Sequence, residues 1–149
     1  MSELESLKSQ VQIRTATEQD VPFIFNSWLR SYKASQRTVT PAVYFDFQHK
    51  LVQSILQRSN VNMLCSPDDS QQLFGYLVHE VIDSVPVLHY GYIKHDFRQL
   101  GLMSVLLKHA GVARDSGAYY THETNSIFKV RNSYKLLVYN PYLASGGLS

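Results

Sequence analysis

The stretch that most restricts what this chain can become runs from Val85 to Gly111, VPVLHYGYIKHDFRQLGLMSVLLKHAG. It opens with β-branched and aromatic residues (Val87, Tyr90, Tyr92, Ile93), which predict a strand. A polar, glycine-bearing turn follows from Lys94 to Gly101. From Leu102 onward, Leu102, Val105, Leu106, Ala110 and Ala113 return on one face and predict a helix, stopped at Ser116-Gly117. Strand, turn and helix in that order present unpaired N–H groups at a positive helix start, where an anion is favoured. Arg98 adds a fork of donors suited to phosphate oxygens. The residues alone therefore make a candidate phosphate or pyrophosphate cradle and leave its ligand open.

The rest of the chain supplies a sheet and its covering helices. Val11 to Arg14 alternates as a short strand. Val21, Ile24, Phe25, Trp28, Leu29 and Tyr32 recur at helical spacing after Asp20, the favoured cap over Thr17, with Pro22 in the first turn. Trp28 and Tyr32, at the end of that helix, are placed to line a cleft. Thr40-Pro41 starts a second helix that carries Tyr44, Phe47, Leu51 and Ile55 and ends near Ser59-Asn60. Strands are expected over Val61–Cys65 and Leu73–Val81, a hairpin turn at Asp83-Ser84, and a further strand over Ala118–His122. A weak helix over Ser126–Lys135 and a short strand over Leu136–Tyr139 complete the order. The expectation is one α/β domain over residues 1–149, a mixed sheet with helices on both faces, with residues 1–10 and 143–149 loose.

Composition narrows the function classes. A chain of 149 residues, 44% hydrophobic and 17% charged, is an ordinary globular domain. A net charge of +2, with Lys and Arg scattered, gives no footprint for a polyanion, so nucleic acid is disfavoured as a partner. The single cysteine, Cys65, forms no intrachain disulfide and suits a reducing compartment as a buried thiol. No apolar run approaches a membrane span and the N-terminal residues lack a signal-peptide pattern, so a cytoplasmic location is expected. The six histidines show no HExxH or paired-cysteine spacing, and no metal is expected.

Arg98-Gln99-Leu100-Gly101-Leu102-Met103 resembles the acyl-CoA pyrophosphate loop of the GNAT family of N-acetyltransferases. That loop reads Arg or Gln, two variable residues, Gly, one variable residue, then Gly or Ala. Arg98 and Gly101 match, Tyr92-Ile93 matches the aromatic-aliphatic end of the preceding strand, and Met103 stands at the position of the last small residue. The order of elements from Val11 to Tyr142 also resembles that family, whose small members are common in tailed-phage genomes; a phage-encoded member would work in the host cytoplasm. The resemblance implies a GNAT-like fold and acetyl-CoA as cosubstrate. It also implies that the N–H groups of Tyr92, Ile93 and Lys94 hold the acyl and pantetheine arm, with Arg98, Gln99, Leu100, Gly101, Leu102 and Met103 around the phosphates.

Acyl transfer from a thioester to an amine needs a donor for the thioester oxygen, a base for the ammonium and an acid for the leaving thiolate. Arylalkylamine N-acetyltransferases, members of that family, carry a histidine nine residues before the matching arginine and use it to relay the amine proton. His89 stands at that spacing from Arg98, and a histidine titrates near neutrality. Where those enzymes have a second histidine, this chain has Val87. Tyr134 resembles the tyrosine that many members place near the CoA sulfur, with Tyr139 and Tyr142 as competitors. His122, Glu123 and Glu80 are alternative bases, and Asn125 either touches pantetheine or caps the last helix.

The function expected from the resemblance is transfer of an acetyl group from acetyl-CoA to an amine acceptor, small molecule or protein, by direct attack. The alternatives are a protein of the same fold that binds or regulates without catalysis, and a related enzyme acting on nucleic acid. No membrane partner is expected, and a homodimer is open.

Overall fold

A computed structural model describes residues 10–33 and 40–145. The elements are β1 (Gln12–Thr15), α1 (Val21–Lys33), α2 (Pro41–Arg58), β2 (Asn60–Cys65), β3 (Leu73–Ile82), β4 (Val85–Ile93), α3 (Leu102–His109), β5 (Ala118–Tyr120), α4 (Asn125–Arg131) and β6 (Leu137–Tyr139). The strands form one six-stranded sheet in the order β1-β2-β3-β4-β5-β6. Pairing is antiparallel from β1 to β4 and parallel from β4 to β6. The expected mixed sheet with helices on both faces is the fold observed.

Alternation along the strands, reset at a bulge at Phe74 and another at His89, sorts the sheet's side chains into two cores. Tyr76, Val78, Tyr90 and Tyr92 face α1 and α2, where Ile24, Trp28, Val52 and Ile55 are wholly buried. Phe74, Leu77, Leu88 and Ile93 face the other way, onto Leu102, Leu106 and Leu107 of α3 and onto Ile127 and Val130 of α4. Burying each large aliphatic side chain of this kind contributes roughly 1.5–3 kcal/mol.

Several boundaries differ from the sequence reading, each for a local reason. Thr17, rather than Asp20, opens the first helix, through a 3-10 turn over Glu18–Asp20. Asp20 closes that turn instead: its Oδ2 accepts the Thr17 N–H at 2.7 Å and pairs with Arg14 Nη1 at 2.7 Å. The helix α3 stops at His109, not at Ser116-Gly117, because Gly111 turns left-handed at φ 82. There Gly111 N–H donates to Lys108 O at 3.0 Å and Val112 N–H to Leu107 O at 2.9 Å, a Schellman closure. At the other end of the chain, residues 143–145, expected to be loose, lie in a 3-10 turn over Pro141–Ser145 with Ala144 buried. Residues 1–9 and 146–149, the rest of the expected loose ends, lie outside the described residues.

Two features of β4 set up the site. Val78 faces Tyr90 while His79 faces Leu88, so His89 is the extra residue of a β-bulge. Before that bulge, β4 pairs with β5 at Val87↔Tyr119 and Leu88↔Tyr120. Thr121 N–H donates to Leu88 O at 3.1 Å, and after that contact the two parallel strands part.

Candidate active site

The opening between β4 and β5 holds a cavity of about 40 Å³. Sheet residues Leu88 to Gly91, with Tyr120 and His122, form one wall; Met103 and Leu107 of α3 and Ile127 and Val130 of α4 form the other. The bulge turns His89 and Tyr90 alike toward the α1/α2 side. Tyr90 stacks on Trp28 at 4.7 Å between ring centroids. Its hydroxyl bonds Ser31, and burial pushes its pKa up to about 12, so it stays protonated.

His89 is buried with both ring nitrogens engaged. Nε2 lies 2.5 Å from Glu80 Oε2 and Nδ1 lies 3.0 Å from Thr121 Oγ1. The same Glu80 oxygen accepts from Arg58 Nε at 3.1 Å and from the Ser59 hydroxyl at 3.3 Å. Arg58 in turn reaches the carbonyl of Ala144, tying the last turn of the chain to the site. Burial lowers the pKa of His89, opposed by the Glu80 carboxylate. Thr121 Oγ1 also lies 2.8 Å from His122 Nδ1. His122 sits among Trp28, Tyr32 and Tyr90, with ring centroids at 5.3, 4.8 and 6.0 Å. In that apolar nest its pKa drops to about 3, first through burial and then through His89. Trp28 Nε1 is buried there too, with no hydrogen-bond acceptor among the described residues.

The pyrophosphate candidates gather at the start of α3. Gly101 is its N-cap, left-handed at φ 75, and no side chain caps the helix's first N–H groups. Gln99 is left-handed as well, at φ 65, a conformation costly for a residue other than glycine. Arg98 Nε donates to Ile93 O at 2.7 Å and its guanidinium lies 5.5 Å from the Tyr92 ring centroid. That leaves the terminal nitrogens of the fork for a ligand. Leu102 is buried in the core, so it can offer only its backbone.

The three strand N–H groups separate. Lys94 N–H donates to Phe74 O at 2.8 Å, and the two-residue period of an antiparallel ladder points that of Tyr92 at β3 as well. Both are spent in the sheet. Ile93 N–H alone among the three faces the β5 side, where the strands have parted.

Tyr134 is not brought to the cavity. It is buried in the α3/α4 core, with the Arg114 guanidinium 5.9 Å from its ring centroid. Its backbone follows α4 toward the N-terminal end of β5, away from the end where the strands part. Of its competitors, Tyr142 is 82% exposed. Thr124, not Asn125, caps α4, accepting the Ile127 N–H at 3.1 Å. Sequence reasoning named Glu80, His89 and His122 separately and missed Thr121 and Arg58, which join them. The available signal was a hydroxyl residue directly before His122 at the end of a strand.

Among the described residues no group of three or more His, Cys, Asp or Glu side chains is arranged to hold a metal, and no helix is long and apolar enough to cross a membrane.

No protein-family model matches the chain, and no curated protein matches its sequence. Solved structures do match its fold. The histone acetyltransferase HPA2 and related acetyltransferase from Corynebacterium glutamicum aligns over 83% of this chain and 82% of its own, at 14% identity and a TM-score of 0.59. A GNAT-family acetyltransferase from Staphylococcus aureus Mu50 aligns over 84% of this chain and 80% of its own, at 11% identity and a TM-score of 0.54. On these matches the chain has the fold of the GNAT acetyltransferases.

Proposed function

We propose that the protein transfers an acyl group, acetyl first among them, from an acyl-CoA to an amine by direct attack. The observation that carries this reading is the parting of β4 from β5 beside two buried histidines, His89 and His122, whose rings are bridged by the Thr121 hydroxyl. Acyl-CoA brings an activated acyl group and a thiol leaving group; the chain's own residues bind, orient and move protons. The N–H groups at the Gly101 turn and the free nitrogens of Arg98 suit a pyrophosphate. Ile93 N–H is the strand donor left for the acyl and pantetheine arm. Met103, where the motif has a small residue, turns its bulk onto Gly91 and keeps its N–H at the helix start.

The base reading changes in one respect. Both nitrogens of His89 are engaged, so an amine meets it only through a neighbour in the hydrogen-bonded line. Tyr134 supports the α3/α4 core in this arrangement, and its place as the acid rests on the substitution described in the Discussion.

One observation favours a non-catalytic protein of the same fold. A cavity of about 40 Å³ has room for a water or two, so a pantetheine arm enters only if α4 or Met103 gives way. Release of free thiol from acetyl-CoA, followed with a panel of alkyl, arylalkyl and peptide amines, decides the matter. Thiol release that depends on the amine supports transfer. No release with any amine, together with no rise in melting temperature on adding acetyl-CoA, favours the non-catalytic reading.

A further inference from the structure

Four side chains, from β3, β4 and the two residues that follow β5, form one unbroken line. Glu80 Oε2 lies 2.5 Å from His89 Nε2, His89 Nδ1 lies 3.0 Å from Thr121 Oγ1, and Thr121 Oγ1 lies 2.8 Å from His122 Nδ1. Three of the four are shielded from water, His89 at 1%, Thr121 at 3% and His122 at 5% exposed, while Glu80 is partly buried. In such a line the chemistry of one end dictates every proton. Glu80, paired with Arg58, is a carboxylate and only accepts, so the Nε2 of neutral His89 is the N–H donor. Nδ1 of His89 is then an acceptor and takes the Thr121 hydroxyl proton. The carbonyl of His89, 3.5 Å from that hydroxyl, is too distant to compete for it. With its one proton used, Thr121 can only accept from His122. His122 therefore carries its proton on Nδ1, and its Nε2 is a bare lone pair on a residue that lines the cavity.

We propose that this line is a proton relay: His122 Nε2 takes the proton of the attacking amine, and Thr121 and His89 position it and carry the charge inward. This rests on the acyltransferase reading and assigns the base within it. As the amine nitrogen bonds to the acyl carbon, its proton passes to His122 Nε2, and the carbon–sulfur bond breaks with its electron pair leaving on the CoA thiolate. The Nδ1 proton of His122 passes to Thr121 Oγ1, and the former hydroxyl proton of Thr121 passes to His89 Nδ1. One proton enters, three N–H or O–H bonds form as three break, and the positive charge comes to rest on His89 against Glu80.

The surroundings explain why a relay is needed. His122 faces Trp28 and Tyr32 of α1, Tyr90 of β4 and, across Thr121, His89; Glu123 follows it in the chain. Burial among these rings opposes a cation there, as the drop in its pKa to about 3 reflects. His89 instead faces the carboxylate of Glu80 from β3, itself held by Arg58 from the end of α2. Moving the charge by one hydroxyl takes it from an apolar nest to an ion pair.

Nitrogen NMR of protein labelled on the histidine rings reads the tautomers without any need for activity. The relay requires His89 protonated on Nε2 and His122 protonated on Nδ1. Thr121→Val should return His122 to an Nε2–H tautomer, and Thr121→Ser should restore the line. In the thiol-release assay Thr121→Val should lower kcat by about 10²-fold, with KM for acetyl-CoA unchanged. Its acidic limb should shift to lower pH, because His122 alone is a poorer base, and Thr121→Ser should recover the lost rate. His122→Gln should lose transfer while still binding acetyl-CoA. An Nε2–H tautomer at His122 in the unmodified protein overturns the relay whatever the activity, as does a Thr121→Val variant with unaltered rate and pH profile. The expected tautomers without transfer to any amine overturn the acyltransferase reading instead, and with it the reacting proton.

Discussion

Met103 lies directly over Gly91: a Cβ at Gly91 would stand 2.7 Å from Met103 Cε and 3.0 Å from its sulfur. The bare backbone of β4 there is thus a seat for a side chain of α3, and together they close the cavity from below. Gly91→Ala should cost about 1 kcal/mol or less, because its methyl meets the flexible end of the Met103 side chain, which can swing aside. In a Met103→Ala background the same substitution should be close to neutral, so the two should be non-additive in chemical denaturation. Met103→Ala alone should lower stability by about 2 kcal/mol, the low end for a methionine that is only partly buried. It should also raise acetyl-CoA affinity by opening the space; a fall in affinity would mean that Met103 supports the ligand rather than obstructs it.

Tyr134→Phe removes one oxygen from a ring packed in the α3/α4 core. Turnover should stay within about twofold, since a general acid would lose roughly 10²-fold or more. A loss of that larger size, with melting temperature unchanged, would restore Tyr134 as the acid and require α4 to rearrange when substrate binds.

Acid should weaken the fold in a defined order. Burial holds the pKa of His79, His89 and His122 below the ordinary 6.5, that of His122 at about 3. Groups with depressed folded-state values bind fewer protons folded than unfolded. Their stabilisation is complete above pH 6.5 and drains as pH falls, at up to about 1.4 kcal/mol per unit for each histidine. Asp20, its carboxyl held below 3.8 by Arg14 and the Thr17 N–H, adds a loss only at lower pH still. Melting temperature should therefore decline from pH 7 to 4, and His122→Gln should flatten that decline. An unaltered slope in the variant would place His122 in contact with water.

Periodicity carried the fold because each element's apolar face is written in consecutive residues. The β4 strand, the Gly101 turn and the stripe of α1 were legible for that reason. The stop of α3 was misread because Ala113 continued the apolar spacing past Gly111, and only the left-handed turn at Gly111 ends it. The site was half legible. His89 stood out by its distance from Arg98, but the bulge that turns its ring arises from β3 pairing and leaves no local mark. Thr121 meets His89, 32 positions away, only across a parallel pairing that no window of sequence contains.

Arg98→Ala should weaken acetyl-CoA binding about ten- to a hundredfold, the value of one or two hydrogen bonds to a charged phosphate. The variant also loses the bond to Ile93 O, so its pantetheine contact should loosen as well. Unchanged affinity in calorimetry would take the pyrophosphate away from this loop.

Gly101 turns at φ 75 where the chain enters α3, a conformation that a branched side chain rarely adopts. Calorimetric titration with acetyl-CoA, run side by side on the unmodified protein and on Gly101→Val, tests most directly whether this fold holds an acyl-CoA at that turn. The account predicts saturable one-site binding to the unmodified protein and loss of that binding in the variant, with the far-UV spectrum retained. No binding to the unmodified protein, or equal affinity in the two, would contradict it.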